Sequence, residues 1–408
     1  MKKSTTVLTT ICCSLIVIGS ACAVAGRMMG AESAIVYEKG KGLQIIKHEQ
    51  PELFAESQNL ETFSSISVDD MDEFQIRLVA SDHYGYEMHA YDQHKPRISV
   101  EHDTLSISGI EEDLGLSDVI TIDLGLDDPI ELERETLDIY YPADAQFENI
   151  SFEGSRCNLE MASLSVQDLE VKGDYANVLL NEVTGDTMDI SAYSGNVLLD
   201  DVQFERKINC EMVGGTFEVD NAQTQDFRAK GDNLNNILSN LTADTAVFEG
   251  YSQTIDLSDS QFQSTKISGD TTNCHSSFSK MGDVRIDKDF GYFEWESVEL
   301  NSLYAKGDYQ NFVVDGILHT TAQWDGDYQE ISLRMENAKD FGWNIDLEYG
   351  EAILLGRPYV GSEELVEENG DSVEIADSQG TIHTEEKGNG TQKISVTGEF
   401  SSIRLEEK

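Results

Sequence analysis

The chain has 408 residues, with 77 acidic and 28 basic side chains and a net charge of −49. Binding of nucleic-acid phosphates or anionic lipid requires a cationic surface, so this charge argues against both as partners. Only 5 prolines occur, which suits long β-ladders because proline removes a ladder hydrogen bond. The acidic excess is explained by a well-solvated surface or by a surface that binds cations.

Residues 1–30 form the first predicted element, a signal-anchor or transmembrane segment. Lys2 and Lys3 precede twenty uncharged residues, Val7 to Gly26, which is just long enough to span a bilayer. The small residues at 23–25 leave a cleaved signal peptide as the alternative, and Cys22 offers a lipidation site as a further one. The basic start keeps the N-terminus inside. The acidic body is therefore predicted on the outer side of the membrane, or secreted when the leader is cleaved.

Residues 31–60 have the composition of a polar tether, and residues 61–141 have the pattern of an N-terminal β cap. Apolar residues in the cap alternate in short runs, such as Phe74, Ile76 and Leu78, which predicts short antiparallel strands. Such a cap would cover the open edge of the repeats that follow, because exposed strand edges pair with other chains.

Residues 142–357 repeat with a period of about 19 residues, which is typical of a stacked repeat. Each unit has an anchor, usually Gly, with apolar residues four and two positions before it and five and seven positions after it. Apolar residues two apart lie on one face of a short strand, and the spacing does not fit a helix. The anchors are Gly154, Gly173, Ala192, Met212, Gly231, Gly250, Gly269, Lys288, Gly307, Gly326, Leu347 and Gly398.

Two short strands cannot form a stable sheet alone, but stacked units can pair each strand with its equivalent above and below. The sequence therefore predicts an all-β fold, a single-stranded parallel β-solenoid of about twelve 19-residue rungs with an N-terminal antiparallel cap. Its core would contain files of equivalent residues, including Ile190, Cys210 and Ala229. Residues 358–390 are predicted to be an acidic disordered insertion, and residues 391–408 a closing rung.

An acid ladder is predicted one residue after the anchor on five units. In register, these carboxylates would lie roughly 5 Å apart and repel by roughly 0.8 kcal/mol per pair even in water. A hard cation such as Ca²⁺, the candidate cofactor, would relieve this repulsion through oxygen ligands. The alternative is that Gly-Asp is turn chemistry, with Asp bonding its own backbone. The candidate metal ligands are Asp270, Asp289, Asp308, Asp327 and Glu348.

Aromatic residues stand one position further on, at Phe290, Tyr309, Tyr328 and Tyr349. Stacked rings can simply stabilise a ladder. Alternatively, the row is a ligand-binding strip that receives sugar rings, with the neighbouring acids bonding hydroxyl groups. The sequence leaves both interpretations open.

Catalytic motifs are missing from the sequence, which contains no HExxH, GxSxG or phosphate-binding glycine loop. No catalytic residue is therefore predicted, and the protein is interpreted as a non-enzyme. Cys157, Cys210 and Cys274 are interpreted as small thiols, the latter two at core positions of the repeat.

The sequence resembles the putative-adhesin family of bacterial exported proteins, a domain of unknown function. The resemblance lies in Ile139-Tyr140-Tyr141-Pro142, in the train of Gly-Asp turns, and in the ending from Lys387-Gly388 to Gly398. It covers about residues 60–408. It implies a β-solenoid exported to the cell surface, and it offers no catalytic residues.

Three functions remain open. The first is a surface adhesion or binding module with a cell-envelope or glycan ligand, at the extracellular face of the bacterial membrane. The second is an accessory protein of an envelope stress-sensing system. The third is a polysaccharide lyase or hydrolase, as found among other solenoids.

Overall fold

The computed structural model describes residues 33–38, 42–47, 53–72, 74–91, 94–109, 119–122, 134–360, 381–386, 388 and 392–408. These residues form strands throughout, with a turn of 3-10 helix at Ala338–Asp340. In chain order the strands are β1 (Ser33–Glu38), β2 (Gly42–Lys47), β3 (Leu53–Asn59), β4 (Ser65–Asp69), β5 (Phe74–Ser81), β6 (Gly85–Tyr91), β7 (Arg97–Glu101), β8 (Thr104–Ser108), β9 (Val119–Ile122), β10 (Glu135–Pro142), β11 (Gln146–Ala162), β12 (Ser165–Asn181), β13 (Thr184–Lys230), β14 (Asn233–Glu249), β15 (Ser252–Ser258), β16 (Gln261–Ser277), β17 (Lys280–Lys306), β18 (Gln310–Leu318), β19 (Thr321–Asp325), β20 (Glu330–Met335), β21 (Gly342–Glu348), β22 (Glu351–Leu354), β23 (Arg357–Val360), β24 (Thr381–Glu386), β25 (Lys393–Glu399) and β26 (Ser402–Glu407).

A small unit contains β1, β2 and β9. Strand β1 pairs antiparallel with β2 on one side and with β9 on the other. The range predicted as a polar tether, residues 31–60, therefore contains the strands β1, β2 and β3. The sequence signal for the pair β1 and β2 is the two short apolar runs around Ile35 and Ile45, which lie directly opposite each other.

The large unit contains a β-solenoid, as predicted. Residues 19 apart lie opposite each other in parallel ladders: Gly154 faces Gly173, and Gly173 faces Ala192. The same register recurs further along, where Gly269 faces Lys288. Each coil of the chain thus follows the path of the previous one, and each coil is called here a layer, named by its anchor residue.

Glycine is required at the Gly307 and Gly326 anchors by the close approach of successive layers. A Cβ added to Gly307, where φ is 127°, would lie 1.7 Å from the carbonyl oxygen of Lys288. A Cβ on Gly326, where φ is 154°, would lie 2.0 Å from the carbonyl oxygen of Gly307. Only glycine adopts such φ values without strain.

The core lies between the strands of each layer and is apolar along most of its length. Ile190, Cys210 and Ala229 are fully buried, as the predicted internal file requires. Asn236 is a buried polar exception, and its Nδ2 donates to the carbonyl oxygen of Thr254 at 3.2 Å. All three cysteines of the body are buried free thiols, so no disulfide links the layers that contain them.

The N-terminal end contains two further layers within the predicted cap. Strands β4 and β5 lie parallel against β11, with Ile66 opposite Ile150 and Ile76 opposite Leu159. Strands β8 and β10 form the next layer outward, parallel to β4 and β5. Antiparallel pairing, as predicted for the cap, occurs where β6 pairs with β10 and β7 pairs with β8.

The order of layers at the C-terminal end differs from the chain order. Val396 in β25 lies opposite Trp324 on one side and opposite Ile345 on the other. The Gly398 layer is therefore inserted between the Gly326 and Leu347 layers and does not close the stack. In this position both edges of β25 are paired, which holds the chain terminus against fraying. Strands β23 and β24 pair antiparallel with β22 and β21 at the outer end.

Two predicted segments cannot be compared with the structure. The signal-anchor segment at 1–30 and the centre of the acidic insertion, 361–380, lie outside the described residues. Within the part of the chain that is described, no helix has the length and apolar character needed to cross a membrane.

Candidate functional site

Five aromatic rings form a continuous stack along one corner of the solenoid, called here the aromatic strip. Adjacent ring centroids lie 5.4, 4.6, 5.1 and 5.1 Å apart, and adjacent ring planes are within 14° of parallel. The insertion of the Gly398 layer adds a ring that the predicted set lacked. In spatial order the strip is Phe290, Tyr309, Tyr328, Phe400 and Tyr349.

The rings of the strip are about half exposed, from 46% for Tyr328 to 52% for Tyr309. Because each inner ring has a neighbour on both faces, the strip presents mainly ring edges and the three tyrosine hydroxyls. Each stacked pair contributes roughly 0.5–1.5 kcal/mol beyond its buried area. The strip thus stabilises the ladder and, at the same time, leaves a long apolar edge open to a ligand.

The backbone of the strip is held in an uncommon conformation. Tyr309, Tyr328, Phe400 and Tyr349 have φ values of 55°, 54°, 50° and 56°, in the left-handed region. For a bulky residue this costs about 1 kcal/mol or more. The cost recurs on four adjacent layers, so the surrounding turn must impose this backbone conformation. The conformation directs all four rings to the same corner.

The acid ladder lies beside the strip, and its carboxylates bond the backbone of the next layer. Asp308 Oδ1 accepts the backbone N–H of Asp327 at 2.9 Å, and Asp327 Oδ1 accepts that of Glu399 at 2.7 Å. Glu399 therefore stands between Asp327 and Glu348, which the predicted ladder placed on consecutive layers. These bonds differ from the turn chemistry that the sequence offered as the alternative to cation binding, because each carboxylate accepts from the backbone of the next layer and not from its own.

A groove with a volume of about 620 Å³ follows the same corner. Its floor includes Gly307, Gly326 and Gly398, whose missing side chains leave the space open. Lys306 is the basic residue of its lining. The acidic residues of the lining are Asp289, Asp308, Asp325, Asp327, Asp346, Glu348 and Glu399.

Metal ligands are not grouped in the way a bound ion requires. Across the described ranges, no three His, Cys, Asp or Glu side chains are arranged so that they could hold a metal ion together. The Ca²⁺ ladder of Asp270, Asp289, Asp308, Asp327 and Glu348 stays a prediction.

Lys288 is a buried cation at an anchor position. It directly precedes Asp289 and Phe290, the acid and the aromatic ring of its layer. Its side chain is 2% exposed, and its Nζ donates to the carbonyl oxygen of Gly250 at 3.1 Å. Burial lowers the pKa of Lys288 to about 8, and the charge of Asp270 opposes the shift. The amine is thus held in the core with few partners.

Comparison with known proteins supplies a family. The sequence profile of the Toastrack DUF4097 family matches residues 63–354. A crystal structure of a putative adhesin from Bacteroides fragilis has 12% identity and a TM-score of 0.30, and the alignment covers 65% of this chain and 97% of that one.

Two further solved structures are similar. A putative adhesin from Parabacteroides distasonis has 12% identity and a TM-score of 0.22, with 70% of this chain and 94% of that chain covered. A putative cell adhesion protein from Clostridium sporogenes has 10% identity and a TM-score of 0.17, with 88% and 100% covered. No curated protein sequence matches the chain.

Proposed function

The chain belongs to the Toastrack DUF4097 family, and we propose that it is a non-catalytic, exported binding module that holds a cell-envelope glycan along the aromatic strip and the acidic groove. The family confirms the resemblance drawn from the sequence. The observation that supports the proposal is the coincidence of the two features: five half-exposed rings and a groove with seven acids lie on the same corner of neighbouring layers.

The chemistry of this corner favours a ligand rich in hydrogen-bond donors. Carboxylates accept hydrogen bonds from hydroxyl and amine groups, and bonds to charged acceptors are the stronger kind. Ring edges add apolar contact with the C–H groups of a sugar. Nucleic acid is disfavoured by the net charge of −49, because its phosphates would be repelled.

The form of the corner favours an extended ligand. Groove and strip run along the stacking direction, with an equivalent set of groups in each layer about 4.8 Å apart. A polymer with repeating hydroxyls can use many such sets at once. Repetition then supplies affinity that no single layer provides.

Binding of purified cell-wall polysaccharide by variants of the strip tests the proposal. Tyr309→Ser combined with Tyr328→Ser removes two adjacent rings and is expected to weaken binding roughly tenfold or more. The matched control is Tyr193→Ser combined with Tyr251→Ser, which removes two tyrosines that are each 62% exposed and lie outside the strip.

Three results would contradict the proposal. The first is equal binding by the strip variant and its control. The second is release of soluble sugar products during incubation, which would indicate a lyase or hydrolase. The third is an envelope-stress phenotype of a deletion strain without any polysaccharide binding, which would favour the accessory role.

A further inference from the structure

A second surface, two residues beyond the aromatic strip, carries a row of uncharged polar side chains, called here the amide row. Its members lie opposite each other wherever two of these strands pair, and their side chains are exposed or half-buried. In spatial order the row is Thr136, Gln75, Asn158, Asn177, Asn196, Thr216, Asn235, Thr254, Asn273, Tyr292 and Asn311.

The lack of charge in this row is unusual for the molecule. Charged residues make up 26% of the chain, and exposed positions carry most charges in a folded protein. The row nevertheless passes through eleven consecutive layers without one, and it ends where Glu330 lies opposite Asn311. The column two residues further on contains both apolar and acidic side chains. Leu179, Ile237 and Val313 are 37%, 39% and 39% exposed, and the acids of the same column are Glu160, Glu218, Asp256 and Glu294.

Hydrogen bonding within the row divides it into two parts. At one end the amides bond each other: Asn177 Nδ2 donates to Asn158 Oδ1 at 2.9 Å, and Asn196 Nδ2 donates to Asn177 Oδ1 at 3.3 Å. In the middle, the side chains of Asn235, Thr254 and Asn273 make no hydrogen bond with any other described residue.

Free amide and hydroxyl groups both donate and accept, so they can bond hydroxyls in either orientation. The charge of the molecule further limits the class of polymer that can bind this row. A polyanion is repelled by the net charge of −49, and a polycation is drawn more strongly to the acidic groove, which seven acids line. An uncharged polymer of hydroxyl groups is the chemistry that this row complements.

We propose that the amide row is a docking surface for a neutral polysaccharide chain lying along the solenoid axis. Its hydroxyls would bond the amides and the flanking carboxylates, and its C–H faces would contact the exposed Leu179, Ile237 and Val313. This surface is separate from the acidic corner, so the two can be lost independently. A flat, repeating row suits a polymer better than a small sugar, because each layer adds only one or two hydrogen bonds.

The test is co-sedimentation of the full chain with insoluble cellulose and chitin, with polygalacturonate and chitosan immobilised on beads as anionic and cationic probes. The row variant is Asn235→Asp with Asn273→Asp, which removes two donors and adds two charges. The control is Gln223→Glu with Gln323→Glu, which adds two charges at exposed positions elsewhere. Melting of both variants is measured first, and both are expected to fold because all four sites are at the surface.

Wild type and control are expected to sediment with at least one neutral polymer, and the row variant to bind it roughly tenfold less. Equal binding by row variant and control would overturn the proposal, as would wild-type binding confined to the charged probes or to none. The strip variant Tyr309→Ser with Tyr328→Ser distinguishes the two surfaces, because it is expected to retain the neutral polymer.

Discussion

Replacement of the buried Lys288 by methionine tests the energetics of the core. The lysine is 2% exposed and has one hydrogen-bond acceptor, the carbonyl oxygen of Gly250. Lowering its pKa from the ordinary 10.5 to about 8 means that the folded state opposes the charged form by roughly 3 kcal/mol. Methionine keeps a side chain of similar length without the charge. Lys288→Met is therefore expected to raise the free energy of unfolding at pH 7 by roughly 1–3 kcal/mol, after loss of the hydrogen bond.

The stability difference between wild type and Lys288→Met is expected to depend on pH in a defined direction. Below pH 8 the lysine is charged in both the folded and unfolded states, so its cost is constant. Between pH 8 and 10.5 the unfolded chain binds more protons than the folded one, and wild-type stability rises with pH relative to the variant. The advantage of Lys288→Met is thus expected at pH 7 and is expected to shrink by roughly 3 kcal/mol by pH 10.5.

Denaturant unfolding followed by tryptophan fluorescence measures this difference locally. The three tryptophans of the chain, Trp295, Trp324 and Trp343, are all buried in the Lys288 layer or in layers beyond it. Lys306→Met is the control, because that lysine is exposed and its loss should change stability by less than about 0.5 kcal/mol. A variant at position 288 that is less stable than wild type at pH 7, with a gap independent of pH, would refute the reasoning.

Three other predictions concern the layers and their charges. Gly307→Ala is expected to lower the free energy of unfolding by more than about 3 kcal/mol, because its Cβ would meet the Lys288 carbonyl. The control Gly214→Ala, where the nearest atom is 3.9 Å away, should cost under about 1 kcal/mol. Similar melting temperatures of the two variants would contradict this prediction. Asp315→Asn is expected to destabilise the C-terminal layers. Burial opposes the charge of Asp315, but hydrogen bonds from Lys408 and a neighbouring arginine lower its pKa, so the wild type should lose the stabilisation from this carboxylate only as pH falls below about 4. An unchanged acid-unfolding midpoint in the variant would count against this prediction. The Ca²⁺ ladder predicts that millimolar CaCl₂ raises the melting temperature more than NaCl of equal ionic strength, and equal rises would leave only screening.

The repeat itself was predictable from the sequence because each layer obeys the same local rule. Glycine anchors and alternating apolar residues set both the strand and the register, since a one-residue slip would expose the core face. The aromatic strip was predictable for the same reason, and its missing member had a visible signal: Gly398-Glu399-Phe400 repeats the motif of Gly326-Asp327-Tyr328.

The order of the last layers was not predictable from the sequence, because stacking is decided by which edge a strand pairs with and not by its place in the chain. The Gly398 unit has the same pattern whether it lies inside or at the end of the stack. At the other end, the layer of Ile66 and Ile76 was missed because its turn has one extra residue. Asn158 lies four positions after Gly154 but faces Gln75, five positions after the equivalent Asp70.

The turn at the far corner of each layer was also not predictable from the sequence. Non-glycine residues there adopt positive φ, between 50° and 57°, in layer after layer, so no glycine marks the turn. Asparagine tolerates this conformation better than most residues, and the Nδ2 atoms of Asn221 and Asn240 donate to Asp201 and Asp220 of the preceding layer. These residues are Ser163, Glu182, Asp201, Asn221, Asn240, Asp259, Phe278 and Ser297.

Engineered disulfides test the central claim, the in-register stack with the Gly398 layer inside it, most directly. Tyr328 and Phe400 lie on adjacent layers about 4.8 Å apart, within disulfide reach, whereas Tyr328 and Tyr349 are about twice as far apart and beyond it. Tyr328→Cys with Phe400→Cys is expected to crosslink under mild oxidation, as read by non-reducing peptide mapping, and Tyr328→Cys with Tyr349→Cys is not. The reverse result would contradict the layer order and, with it, the continuous aromatic strip.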